Sequence, residues 1–256
     1  MTYISKVPEV TLIFWIIKIF ATTLGETGGD AVTMSWLGET TAEANGMGYL
    51  IGTAIFGVIF IVAVIIQIKS DKFHPFLYWL TIVATTTVGT TLADYTTRSL
   101  GVGYTGGSAI LLALVIGSLL LWRSVTGTIA VSSVRTPRAE MFYWLTIMFS
   151  QTLGTALGDW FADSADLGYL GAAGVFGGGL FILVLLYYFT SVSRTILFWI
   201  AFILTRPLGA VVGDFLDKPY AKGGLALSRF TASAALLVVM IVLILIFPQK
   251  PAEESH

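Results

Sequence analysis

Five carboxylates fall within long apolar stretches of this chain: Glu26, Asp30, Asp94, Asp159 and Asp214. Two bases accompany them, Lys18 and Arg206. An ionised side chain at the centre of a bilayer costs at least a few kcal/mol, so those that are kept mark ion or substrate paths. The chain has no cysteine, and its two histidines, His74 and His256, lie in a loop and at the C-terminus. The remaining donors are carboxylate, hydroxyl and carbonyl oxygens, a set that suits hard cations such as Mn²⁺, Mg²⁺, Ca²⁺, Na⁺ or H⁺. Five acids against two bases leave a deep net charge of −3, which calls for protonation, hydration or a bound cation.

The four aspartates are one position of a sequence written four times. Trp15, Trp79, Trp144 and Trp199 each stand ten residues before a glycine (Gly25, Gly89, Gly154, Gly209), and the aspartate follows that glycine by five. Ungapped agreement in four copies identifies an internal repeat. Two stripes run along each copy at a spacing of four, which on a helix is a single face. The first is small: Gly25 and Gly29, Gly89 and Ala93, Gly154 and Gly158, Gly209 and Gly213. Small-xxx-small spacing lets helices approach closely in lipid, so these residues are expected to close a bundle. The second stripe is polar: Lys18, Thr22, Glu26 and Asp30, then Thr86, Thr90 and Asp94, then Gln151, Thr155 and Asp159, then Arg206, Ala210 and Asp214. Arg98, Asp163 and Lys218 follow one turn beyond the last three aspartates.

With Trp at the membrane interface, the aspartates would lie ~22 Å deeper at 1.5 Å per residue. The ordinary reading of such aspartates is that they cap helix ends or pair with Arg98 and Lys218. Glu26 has no helix terminus to explain it. Arg206 needs a partner, because arginine keeps its proton, and Glu26 or a neighbouring motif aspartate is the expected one. Lys18, nearer the Trp end, is expected to snorkel toward water.

Composition sets the class. The 256 residues are 56% hydrophobic and 11% charged, with mean hydropathy +0.86, whereas soluble domains carry roughly 25% charged residues. The expected fold is an all-α integral membrane protein with eight transmembrane helices arranged as four parallel two-helix repeats, about 8–70, 73–124, 138–190 and 193–247. Residues 1–248 form a single membrane domain on this reading, and 249–256 a disordered tail. The first copy carries a nine-residue insertion containing Glu39 and Glu43. Lys69, Lys72, Arg123, Arg135, Arg138 and Arg194 fall in loops on one side, which the positive-inside rule places in the cytoplasm together with both termini. A net charge of −1 argues against a nucleic-acid partner.

The whole chain, from Lys6-Val7-Pro8-Glu9 through Thr205-Arg206-Pro207-Leu208-Gly209, resembles a bacterial family of multi-pass membrane proteins to which no activity is assigned. A looser similarity is to manganese/calcium exporters of the Golgi-protein type, whose helices carry Glu-x-Gly-Asp. Here Glu26-Thr27-Gly28-Gly29-Asp30 is one residue longer, and the other copies lack the Glu. Intramembrane aspartyl proteases carry Gly-x-Gly-Asp, but the residue three before each aspartate is Thr27, Thr91, Ala156 or Val211.

These observations lead to an expected secondary transporter of a hard cation, with export as one direction, and not an enzyme. It would need no cofactor and sit in the bacterial cytoplasmic membrane, with a homo-oligomer compatible with this reading. The metal ligands would be Glu26, Asp30, Asp94, Asp159 and Asp214. Thr22, Thr86, Thr90, Gln151 and Thr155 would line the path, and Arg206 and Lys18 would act as charge partners or gates. A carrier of a small anionic or zwitterionic solute held by Arg206 and Lys18 is the alternative, and a non-transporting scaffold or sensor a second.

Overall fold

The computed structural model describes residues 5–252. Among these residues eight long helices follow one another: α1 (Leu12–Asp30), α2 (Met47–Lys69), α3 (Pro75–Asp94), α4 (Gly103–Thr126), α5 (Pro137–Asp159), α6 (Gly168–Phe189), α7 (Arg194–Asp217) and α8 (Arg229–Ile246). The protein is an all-α membrane protein of four parallel two-helix repeats. Six of the helices are long and apolar enough to cross a bilayer by themselves. The exceptions are α1, with Lys18, Glu26 and Asp30, and α5, with Glu140, Gln151 and Asp159. These two are packed between α3 and α7, with α8 covering α1 and α4 covering α5.

The odd helices form a closed ring: α1 against α3, α3 against α5, α5 against α7, and α7 against α1. The glycine of each motif receives a side chain from the next helix. A Cβ on Gly25 would overlap the Thr86 side chain, and one on Gly154 would overlap the Arg206 stem. One on Gly209 would overlap Thr22, and one on Gly89 would stand 3.0 Å from the Gln151 backbone. Equivalent residues are therefore interlocked head to tail around one axis. Alanine at Gly154 or Gly209 is expected to cost at least the ~1–3 kcal/mol of an overpacked core. Alanine at Gly174 or Gly177 of α6, where nothing lies within 4 Å of the added carbon, is expected to be neutral or mildly stabilising. Thermal unfolding in detergent compares the two classes, and equal shifts would refute the interlocking.

The aromatic pair that opens each motif repeats this handedness. Phe14 meets Trp79 at 5.4 Å, Tyr78 meets Trp144 at 5.7 Å, Tyr143 meets Trp199 at 6.2 Å, and Phe198 meets Trp15 at 5.6 Å. Trp79, Trp144 and Trp199 are buried in this layer, so they are inter-helix contacts and not headgroup-facing anchors. Tyr78 and Tyr143 share a 2.6 Å hydroxyl hydrogen bond within it.

The two helices of a sequence hairpin are not each other's main partners. Each outer helix packs on the motif helix of the following repeat: α2 on α3, α4 on α5, α6 on α7, and α8 back on α1. The apolar outer helices thus stitch the ring together, and α8 closes it. The inserted segment caps this sheath, because the Glu39 carboxylate accepts from the backbone N–H groups of Gly46 (3.0 Å) and Gly48 (2.5 Å) at the start of α2.

The expected disordered tail is corrected over residues 249–252. Pro8 and Pro251 form an antiparallel bridge, the Glu9 N–H donates to Lys250 O, and the Ala252 N–H donates to Val7 O, both at 2.8 Å. Gln249 accepts from Trp79 Nε1 at 2.7 Å, so the C-terminal segment straps the Trp end of the ring. Residues 253–256 lie outside the described residues.

Candidate functional site

The polar stripes of α1, α3, α5 and α7 meet on the ring axis. Arg206 is wholly buried there, and a single nitrogen, Nη2, reaches all three other motif helices. It lies 2.9 Å from Glu26 Oε2, 2.6 Å from Thr90 Oγ1 and 2.5 Å from Thr155 Oγ1. Thr90 also donates to Glu26 Oε2 at 3.2 Å. The expected pairing of Arg206 with Glu26 is therefore present. Gly154 makes it possible, because any larger residue would occupy the space of the arginine stem.

Lys18 does not snorkel. It is fully buried, its Nζ donating to Thr205 Oγ1 at 3.3 Å while lying 4.0 Å over the centre of the Phe202 ring. The expectation failed because the aromatic layer lies between Lys18 and the near membrane surface, leaving its four-carbon stem no route to water.

One turn beyond Glu26 lies the aspartate layer, every member of which is buried. Asp94 and Asp159 share Arg98, whose Nε is 2.8 Å from Asp94 and whose Nη2 is 3.1 Å from Asp159. Asp30 and Asp214 share Lys218, whose ammonium is hydrogen-bonded to Asp30, 2.9 Å from Asp214 Oδ1 and 3.9 Å from Asp217 Oδ1. Arg229 of α8 completes the group, 3.2 Å from Asp217 and 4.0 Å from Asp30. The Arg98 side chain is 32% exposed, the most open of these paired groups, so the axis is wetter at the aspartate end than at the sealed aromatic end.

This arrangement corrects the charge expected from the stripes alone. Six carboxylates (Glu26, Asp30, Asp94, Asp159, Asp214, Asp217) face five bases (Lys18, Arg98, Arg206, Lys218, Arg229), a net charge of −1. The bases following the motif helices fold inward, and one arrives from α8. Asp217 and Arg229 were not among the expected site residues. Asp217, three residues past Asp214, could have been found on the same helix face, whereas Arg229 depends on the closure of α8 onto α1.

Glu26, Asp30 and Asp214 each offer an oxygen, and the three oxygens lie within 4.8 Å of one another. All three are buried, and Asp30 Oδ1 has no hydrogen-bond partner among the described residues. This trio could hold a hard cation. The hydroxyls expected to line the path divide into two groups. Thr90 and Thr155 face the Arg206–Glu26 pair, whereas Thr22 and Thr86 donate to backbone carbonyls, including Thr205 O (3.3 Å) and Ala21 O (3.2 Å) of the neighbouring helix. Thr22 and Thr86 are thus helix-to-helix ties, not free ligands. Gln151 is buried with both amide atoms unpartnered among the described residues.

Below the aspartates, the α-helical ladder gives way to π-helix at Ala31–Trp36, Tyr95–Ser99 and Trp160–Ser164, immediately after Asp30, Asp94 and Asp159. Such widened turns are frequent at functional sites. In the fourth copy Lys218-Pro219 stands there instead, and α7 ends at Asp217.

Comparison with known families matches residues 13–73, 77–128, 142–193 and 197–248 to the family described as Repeat of Unknown Function (DUF347). The chain belongs to that family. The four DUF347 copies coincide with the four motif-bearing units that build the ring. Comparison with curated proteins and with solved structures returned no match.

Proposed function

We propose that this DUF347 protein is a secondary transporter of a hard cation of the Mn²⁺, Ca²⁺ or Mg²⁺ class, exchanged on the ring axis against its own lysine. One observation carries the reading. The Lys218 ammonium sits among the carboxylates of Asp30, Asp214 and Asp217, beside the trio of oxygens from Glu26, Asp30 and Asp214. The lysine stands in for a cation, and an entering ion takes over its carboxylates. The trio's hard oxygen donors suit these ions. Lys218 follows the last residue of α7, so it can swing away without unwinding that helix. On the proposed topology both termini lie in the cytoplasm of a bacterium, the aromatic layer is the inner seal, and the aspartate end faces outward.

A second reading has its own support. Arg206 Nε and Nη1 and both ends of the Gln151 amide are buried without partners, and Lys18 has no carboxylate partner among the described residues. That donor-rich half would suit the anionic end of a zwitterionic solute. Flux into proteoliposomes separates the readings: radiolabelled Mn²⁺ or Ca²⁺ entry above protein-free vesicles supports the first. No flux of any divalent cation, with entry of a small zwitterion, would replace it with the second.

A further inference from the structure

An apolar groove of about 540 Å³ opens on the outside of the ring near its Trp end. Its floor is Phe198 and Ala201 of α7, and its walls are Trp15 and Ile19 of α1 and Leu183 and Val184 of α6. In the first two repeats the corresponding position is turned inward. Eighteen residues after the tyrosine of the Gly-Tyr pair that opens α2, α4 and α6 stand Gln67, Trp122 and Tyr187. Trp122 is wholly buried against Tyr143 and Trp199, at 6.2 and 5.6 Å between rings. Gln67 is buried and donates to Lys6 O at 3.2 Å. Tyr187 is instead turned outward and 43% exposed, and the groove lies in the space it leaves.

The mouth of the groove carries one cation. Arg194, the first residue of α7, lies 4.3 Å over the Tyr187 ring, and its Nη1 is buried without a hydrogen-bond partner among the described residues. From Arg194 the lining runs along α7 to Thr205. Eleven residues at 1.5 Å each give ~16 Å, about one leaflet of a ~30 Å hydrocarbon core. An apolar slot one leaflet deep with a guanidinium at its interfacial end has the dimensions and charge of a phospholipid site. Basic pockets between transmembrane helices bind anionic headgroups.

We infer that the groove between α1 and α6 holds one acyl chain of an anionic phospholipid from the leaflet at the Trp end, its phosphate on Arg194. The inner end of the chain touches Thr205, the residue that receives the Lys18 ammonium, so the lipid supports the wall of the axial site. This inference is independent of what the axis transports.

The test is native mass spectrometry of the full chain, purified in detergent and supplied with equal amounts of phosphatidylglycerol and phosphatidylcholine bearing the same chains. The wild type is expected to retain one phosphatidylglycerol in preference to phosphatidylcholine. Arg194→Gln should lower that preference about fivefold, matching the ~1 kcal/mol that one basic residue contributes at an anionic surface. Val184→Trp, which fills the groove, should remove both lipids, and unfolding temperatures near wild type confirm that both variants are folded. Equal retention of the two lipids by the wild type, or an unchanged preference in folded Arg194→Gln, overturns the inference. A dimer that Val184→Trp dissociates would also overturn it, making the groove an interface between copies.

Discussion

Arg206→Met is expected to lower the stability of the folded ring by about 3–5 kcal/mol, the usual cost of leaving one member of a buried ion pair without its partner. Glu26 is 2% exposed, and in the variant its carboxylate would retain only Thr90 as a side-chain partner. The arginine also ties α7 to α3 and α5 through Thr90 and Thr155, so the loss spreads over three helix interfaces. The decisive comparison is the double variant. Replacing a buried pair by neutral groups of similar volume is often neutral or stabilising, so Glu26→Gln in the Arg206→Met background should recover most of the loss. Thermal unfolding of the four proteins in one detergent closes the cycle. Additive losses would show that Arg206 and Glu26 act separately, contradicting the axial pair.

Lys218→Gln should make stability depend on added cation. Without the ammonium, Asp30 and Asp217 keep only Arg229, and Asp214 has no ion-pair partner among the described residues, so the expected loss is again about 3–5 kcal/mol in chelator. A cation that replaces the lysine should return ~2.7 kcal/mol at a hundred times its dissociation constant, because it binds only the folded state. Its affinity should exceed that for the wild type, in which the lysine competes. The same titration of Arg98→Gln is the control, since Arg98 holds Asp94 and Asp159 and not the Glu26–Asp30–Asp214 trio. A melting shift no larger in Lys218→Gln than in wild type would show that the lysine is a structural pin and not a stand-in for substrate.

The ring was legible in the sequence because its contacts obey one helical spacing. A polar residue three before each motif glycine and a small residue at the glycine itself interlock from helix to helix, and the same register puts Arg206 level with Thr22, one turn from Glu26 and within reach of it. The partner of each outer helix was not legible. Lipid-facing helices such as α2 and α8 are apolar nearly all round, so they carry no periodic stripe to identify the surface they cover. The stitching of each repeat onto the next, the closure of α8 and the arrival of Arg229 follow from that missing information. The charge balance was misjudged for a related reason. Arg98 and Lys218 lie one turn past their aspartates, where a count of deep positions leaves them out, yet both fold inward. Lys18 shows the same limit from the other end: whether it snorkels depends on the aromatic seal, a property of four helices together.

On the proposed reading a hard cation crosses on this axis through Glu26, Asp30 and Asp214. Uptake of radiolabelled Mn²⁺ or Ca²⁺ into proteoliposomes holding the opposite concentration of unlabelled ion tests it most directly. Wild-type protein should exchange label well above protein-free vesicles, and Asp30→Asn, which removes one carboxylate of the trio, should abolish exchange while remaining folded. Exchange equal to that of empty vesicles, or an Asp30→Asn variant as active as wild type, would rule out cation passage through the trio.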